Sequence, residues 1–170
     1  MHMEIVALRL IHVLGGIFWV GTAVFVAAFL LPAMGAAGPA SSVVMGALIR
    51  RRLFTIVPVV AVATLLAGLR LMWINSTGFA ASYFASTGGR TYATGAVLAL
   101  VAFTLFLTVN HPSIGAMTRL SQRLTQTPEP ERAPILAEMA AIRARVAKAS
   151  TISAGLLVLT AVAMAVGRYM

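Results

Sequence analysis

The chain reads as an all-α integral membrane protein, a bundle of four transmembrane helices with a cytoplasmic helical extension before helix four. Three observations predict this. Of 170 residues, 60% are hydrophobic and only 10% charged, whereas a soluble domain carries about 25% charge. Mean hydropathy is +0.95. Apolar runs reaching the roughly 20 residues that a membrane-spanning helix needs recur along the chain, separated by turn-forming or charged stretches. The length suits one domain covering 1–170. Cysteine is absent, which excludes disulfides, thiolate metal sites, iron–sulfur clusters and covalent c-type haem attachment.

Helix one is expected over 5–31, ended by Pro32 and the Gly35, Gly38, Pro39 cluster. No basic region precedes it, so it is expected to stay in the mature protein. Ser41 or Ser42 caps a short interfacial helix through Ile49, and Arg50, Arg51 and Arg52 follow beside the headgroups. Helix two is expected over 53–74, with Pro58 in its first turn or at a kink and Arg70 and Trp73 at its far end. The stretch NSTGFAASYFASTGGR reads as a loop. Helix three is expected over 92–109, stopped at Asn110-His111-Pro112. From Ser113 the chain turns polar. The run Ala133 to Ser150 has helical spacing, with Ile135, Met139, Ile142 and Val146 on one stripe, and continues into helix four over 151–167. That apolar stripe predicts packing on the chain's own connections or on a second copy. No internal repeat is visible.

Charge sets the orientation. Arg50, Arg51, Arg52, Arg119, Arg123, Arg132, Arg143, Arg145 and Lys148 fall on one side, and Arg9, Arg70, Arg90 and Arg168 on the other. Basic loops stay in the cytoplasm, so both termini are expected outside. A net charge of +9 would suggest nucleic acid in a soluble protein; here anionic lipid is the expected partner and nucleic acid is not.

Chemistry points first to His12. An ionisable side chain inside an apolar span is costly and suggests function by default. At helical spacing Arg9, His12, Gly16, Trp19 and Ala23 share a face, and Gly16 leaves room beside the imidazole. Two readings stand: a cofactor or metal ligand, or a histidine hydrogen-bonded to another helix beside glycines that serve close packing. Arg9, Arg70, Arg90 and Arg168 end four different helices on the outer side, with Glu4 the only acid there. An axial imidazole below such cations suits a b-type haem and its propionates, against four independent arginines facing headgroups. Met164 lies at a depth that suits a second ligand, as His/Met ligation does elsewhere. His111, near the opposite face, suits the helix dipole.

Copper is the alternative, on Met1, His2, Met3, Met72 and Met170. A non-catalytic accessory subunit, docking by its helix faces and its cytoplasmic extension, is a third reading, and a membrane redox partner or a second copy is the expected protein partner. No carboxylate lies in a helix core, and no phosphate loop, metal-spaced histidine pair or nucleophile–base pair is recognisable.

The segment LIHVLGGIFWVG, with the apolar run to LLP, resembles the first helix of the copper-resistance-D-like and HemJ-like membrane families. The likeness continues weakly through RRLFTIVPVVAVATLLAGLRLMWI. It implies a helical bundle with a histidine, here His12, on helix one. A HemJ-like protein is expected to hold b-type haem and oxidise protoporphyrinogen, and a copper-resistance protein to pass copper across the inner membrane. HemJ-like proteins pair the histidine with a lysine on a later helix. This chain departs from that pattern, because its single lysine is Lys148.

Overall fold

The computed structural model describes residues 2–170, apart from the side chain of Pro39. Its elements are helices throughout: α1 His2–Ala37, α2 Ser41–Arg50, α3 Leu53–Asn75, α4 Ala81–Ala85, α5 Thr87–Gln126 and α6 Ala133–Tyr169. Four of them, α1, α3, α5 and α6, are long and apolar enough to cross a membrane.

Helices one and three run further than their prolines predict. Each changes to π-helical spacing just before the proline, at Val26–Leu30 and at Phe106–Asn110, and then resumes as α-helix to Ala37 and Gln126. A proline ring crowds the carbonyl four residues earlier and brings no N–H. The π segment answers both problems by widening the turn: the Leu31 amide donates to Val26, and the His111 amide to Phe106, five residues back. The stop expected at Asn110-His111-Pro112 is therefore a bulge within a continuous helix. Helix three also begins earlier than the glycines of TGGR suggest. Ser86 supplies a side-chain cap, its Oγ accepting from the Gly89 amide at 3.1 Å. Pro58 lies inside α3, past its first turn.

Packing pairs the helices antiparallel, α1 with α3 and α5 with α6. Between the pairs lies a core of Trp19, Ala61, Ala99, Ala102 and Leu157, with Ala23, Val57 and Phe103 around it. The pairs are copies of one design, a repeat that the sequence does not announce. A single offset along the chain carries Gly15, Trp19, Ala23, the first π segment, Pro32 and Gly35 onto Gly95, Ala99, Phe103, the second π segment, Pro112 and Gly115. Gly15 of α1 faces Thr64 of α3, and Gly95 of α5 faces the Thr160 backbone of α6. Both threonine hydroxyls donate back along their own helix, to Val60 at 2.8 Å and Leu156 at 2.9 Å. Sizes trade places across the centre, Trp19 against Ala99 and Ala23 against Phe103, and the two large rings meet edge to face at 6.0 Å. Interdigitation of this kind fills a core at native density without duplicating residues. Because the large hydrophobic residues are exchanged and few letters beyond Gly15/Gly95, Pro32/Pro112 and Gly35/Gly115 are kept, the repeat is faint in the sequence.

Beyond the second π segment α5 and α6 continue as an amphipathic hairpin. Ile135 and Met139, each 6% exposed, pack on Leu120 with Met117, Leu124 and Ile142 beside them. The apolar stripe expected to find a partner finds it in the chain's own α5.

Candidate functional site

His12 lies on α1 one helical repeat before Trp19, so its ring is aimed at α3. There its Nδ1 sits 2.9 Å from the Thr64 carbonyl oxygen. A carbonyl only accepts, so Nδ1 carries the proton and donates, which leaves the Nε2 lone pair unprotonated in the neutral ring. Among the described residues no hydrogen-bond donor is placed on Nε2. The ring fits because residue 68 has no side chain. A Cβ there would stand 2.6 Å from Cε1 and 2.8 Å from Nδ1, but 3.6 Å from Nε2. The Cε1–Nδ1 edge is thus sunk into a notch on α3 while Nε2 points away from it. Sequence reasoning credited Gly16 with this relief. The structure corrects that: a Cβ on Gly16 would meet only the Thr64 methyl, at 3.9 Å. The seat of His12 is Thr64 and Gly68, one turn apart on a different helix.

The repeat supplies a comparison within the same molecule. Tyr92 of α5 occupies the place that His12 holds in α1. Its ring packs on Gly167 of α6, where a Cβ would stand 2.9 Å from Cε1 and Cζ. A flat ring therefore packs against a glycine here too, although Gly167 lies three residues beyond Met164, the α6 counterpart of Gly68. Such packing does not ask for an imidazole.

The other expected site residues are dispersed. Arg70 donates from Nε and Nη2 to Glu4 at 3.0 and 2.7 Å, so its charge already has an anion. The Arg168 guanidinium lies over the Tyr169 ring at 5.0 Å, a cation–π contact. Arg9 and Arg90 are exposed, on α1 and α5. Met164, weighed as a second ligand, holds in α6 the place Gly68 holds in α3. Its methyl sits 3.1 Å from a Gly95 Cβ position, so it packs on α5 while His12 packs on α3. His111 is exposed beyond the second π segment, 6.2 Å from the Phe106 ring. Of the copper candidates, Met1 lies outside the described residues, His2 and Met3 are exposed, and Met170 Sδ accepts from Thr91 Oγ1 at 3.7 Å. Among the described residues no three His, Cys, Asp or Glu side chains gather as a metal cluster would.

Two features escaped sequence reasoning. Asn110, in the second π segment, donates from Nδ2 to Ser150 Oγ at 3.0 Å, while its buried Oδ1 has no partner. A groove of about 470 Å³ opens between α1, α2 and α3. Neither has a local sequence signal, because each depends on which helices become neighbours. Comparison with protein-family models, with curated proteins and with solved structures matches the chain to none of them.

Proposed function

We propose that this chain is a multi-pass protein of a bacterial-type inner membrane that holds a b-type haem on His12 and serves redox or electron transfer. In this reading α1, α3, α5 and α6 form a four-helix transmembrane bundle. Both termini lie outside and the basic hairpin of α5 and α6 lies in the cytoplasm, a reading that the distribution of arginines supports.

The observation that carries the reading is the setting of His12. A histidine that ligates a metal characteristically donates its other ring N–H to a carbonyl or carboxylate, which fixes tautomer and ring angle and raises ligand basicity. The Thr64 carbonyl does this at 2.9 Å, and Gly68 lets the ring lie flat enough to reach it. Tyr92 in the equivalent place argues that the imidazole is present for its nitrogen rather than for its shape. Bound haem supplies one-electron chemistry, tuned by axial ligand and nearby charge. His12 would hold the iron, apolar α1 and α3 would exclude water, and Arg9, with Arg90 and Arg168 at the same end, would attract propionates. Arg70 enters only if it leaves Glu4.

A second reading, an accessory subunit, is favoured by α1. Only 6% of its apolar window is buried, against 33% for α6, which leaves a long face for lipid, a second copy or a redox partner.

The test is an absorption spectrum of protein expressed with ample haem and purified in detergent. A Soret band is expected. His12→Ala should abolish it, whereas His111→Ala and Tyr92→Phe should leave it intact. Colourless wild-type protein would sink the haem reading. Copper found by elemental analysis would then promote copper handling, and no metal at all would leave the accessory role.

A further inference from the structure

The groove between α1, α2 and α3 is lined by Gly21, Thr22, Phe25, Val26 and Leu30 of α1, Leu48 of α2 and Leu53 of α3. Its lining is apolar but for one threonine, and about 470 Å³ is within the roughly 300–1,000 Å³ of ligand pockets. Two of its walls, Leu48 and Leu53, flank Arg50, Arg51 and Arg52, which make the turn from α2 into α3. All three arginines are exposed. Among the described residues the ion pairs are Arg70–Glu4 and Arg132–Glu129, so none of the three has a carboxylate partner.

Two backbone features make this a built place rather than a loose basic loop. Arg52 stands at φ +57°, in the left-handed region where glycine is the undemanding choice. The groove's α1 wall includes the first π segment, and π-bulges mark functional sites more often than chance. The second pair of helices has the matching bulge but no short helix beside it, because its connection is the amphipathic hairpin.

We propose that this groove binds an anionic phospholipid, one acyl chain lying between α1, α2 and α3 and the phosphate held by Arg50, Arg51 and Arg52. The proposal rests on the membrane placement above and is independent of His12. Planar guanidinium groups suit phosphate because they donate paired N–H bonds to its oxygens. An apolar slot whose walls Leu48 and Leu53 flank the three arginines in the chain suits the acyl chain attached to that phosphate, which a free phosphate ion would leave empty.

The test offers the detergent-purified protein equal amounts of phosphatidylglycerol and phosphatidylcholine and reads retained lipid by native mass spectrometry. Partition of the protein into vesicles, measured on the same sample, tests the membrane placement separately. Phosphatidylglycerol is expected to be retained over phosphatidylcholine by about tenfold or more, about 1.4 kcal/mol. Replacing Arg50, Arg51 and Arg52 together by Gln should bring the two lipids to parity, whereas the same charge loss at Arg119, Arg123 and Arg143 should not. Gly21→Leu should also remove the preference with every arginine in place, since nothing lies within 4 Å of a Cβ there and the side chain fills the slot. Leu48→Trp fills it from α2 if that variant folds poorly. Equal loss from the two arginine triples would overturn the site in favour of diffuse charge. Full retention in both filled variants, with displacement by inorganic phosphate, would overturn the lipid and leave a surface phosphate site.

Discussion

Gly68→Ala probes the seat of His12 without touching the histidine. The new Cβ would stand 2.6 Å from the imidazole Cε1 where ordinary contact begins near 3.4 Å, so the ring must retreat by roughly 0.8 Å. It moves as a rigid plane, and the hydrogen bond from Nδ1 to Thr64 is lost or bent. Overpacking of this kind costs about 1–3 kcal/mol, and the hydrogen bond contributes about 1 kcal/mol net. Against this, alanine is favoured over glycine in a helix by about 1 kcal/mol. The net destabilisation is about 1–3 kcal/mol, read as a lowered midpoint of denaturant unfolding in detergent. The decisive comparison is His12→Ala as background. With no imidazole to strike, Gly68→Ala should be neutral or stabilising by up to about 1 kcal/mol, a strong non-additivity between neighbours. An equal penalty in both backgrounds would refute the notch, whatever is found about haem.

Further outcomes follow from other parts of the molecule. A reporter fused after Met170 should lie outside the membrane and one inserted near Pro130 inside; the reverse would overturn the orientation and the arrangement of arginines built on it. Met139→Ala should destabilise the hairpin of α5 and α6 by about 2–5 kcal/mol, as truncating a buried side chain does. Cysteines at Ile135 and Met139 should resist labelling while one at Leu136, 51% exposed, reacts. Burial, and then the charge of Tyr92, raises the Tyr83 hydroxyl above its ordinary value near 10. The folded state therefore holds that proton more tightly than the unfolded chain. Its contribution is complete below pH 10 or so and is lost as pH rises through the folded value. Tyr83→Phe should flatten the alkaline limb of the stability profile, and an unchanged limb would show that Tyr83 is not its cause.

How far the letters carry is clearest at the two prolines. Four long apolar helices are legible because hydrophobic length needs no knowledge of neighbours. The stops at Pro32 and Pro112 are misread because proline ends a helix only when the turn before it stays α-helical. Val26–Leu30 and Phe106–Asn110 avoid that conflict by widening. Ser86 shows the opposite failure: Gly88 and Gly89 look like a turn, yet a single hydroxyl on the Gly89 amide starts the helix. Both errors concern where backbone donors go, and a residue-by-residue reading does not count them.

The candidate site divides along the same line. His12 stands out in the sequence because a titratable group in an apolar span is rare, and the face it shares with Trp19 follows from spacing alone. Its partners do not stand out: Thr64 and Gly68 acquire meaning only when α3 lies antiparallel to α1. The same dependence bears on Met164, whose depth suits His12 while its methyl lies against Gly95 of α5. What sequence alone least suggests is the comparison that the fold provides. Each pair of helices sets a planar ring against a glycine on the facing helix, His12 on Gly68 in one and Tyr92 on Gly167 in the other, the two glycines standing three residues apart in register. Packing accounts for the ring in both. Only in the first pair does the ring also carry nitrogens, with Nδ1 tied to a backbone carbonyl at 2.9 Å. At this position the difference between the two halves is therefore chemical rather than steric: an imidazole offers ring nitrogens where the phenol offers none.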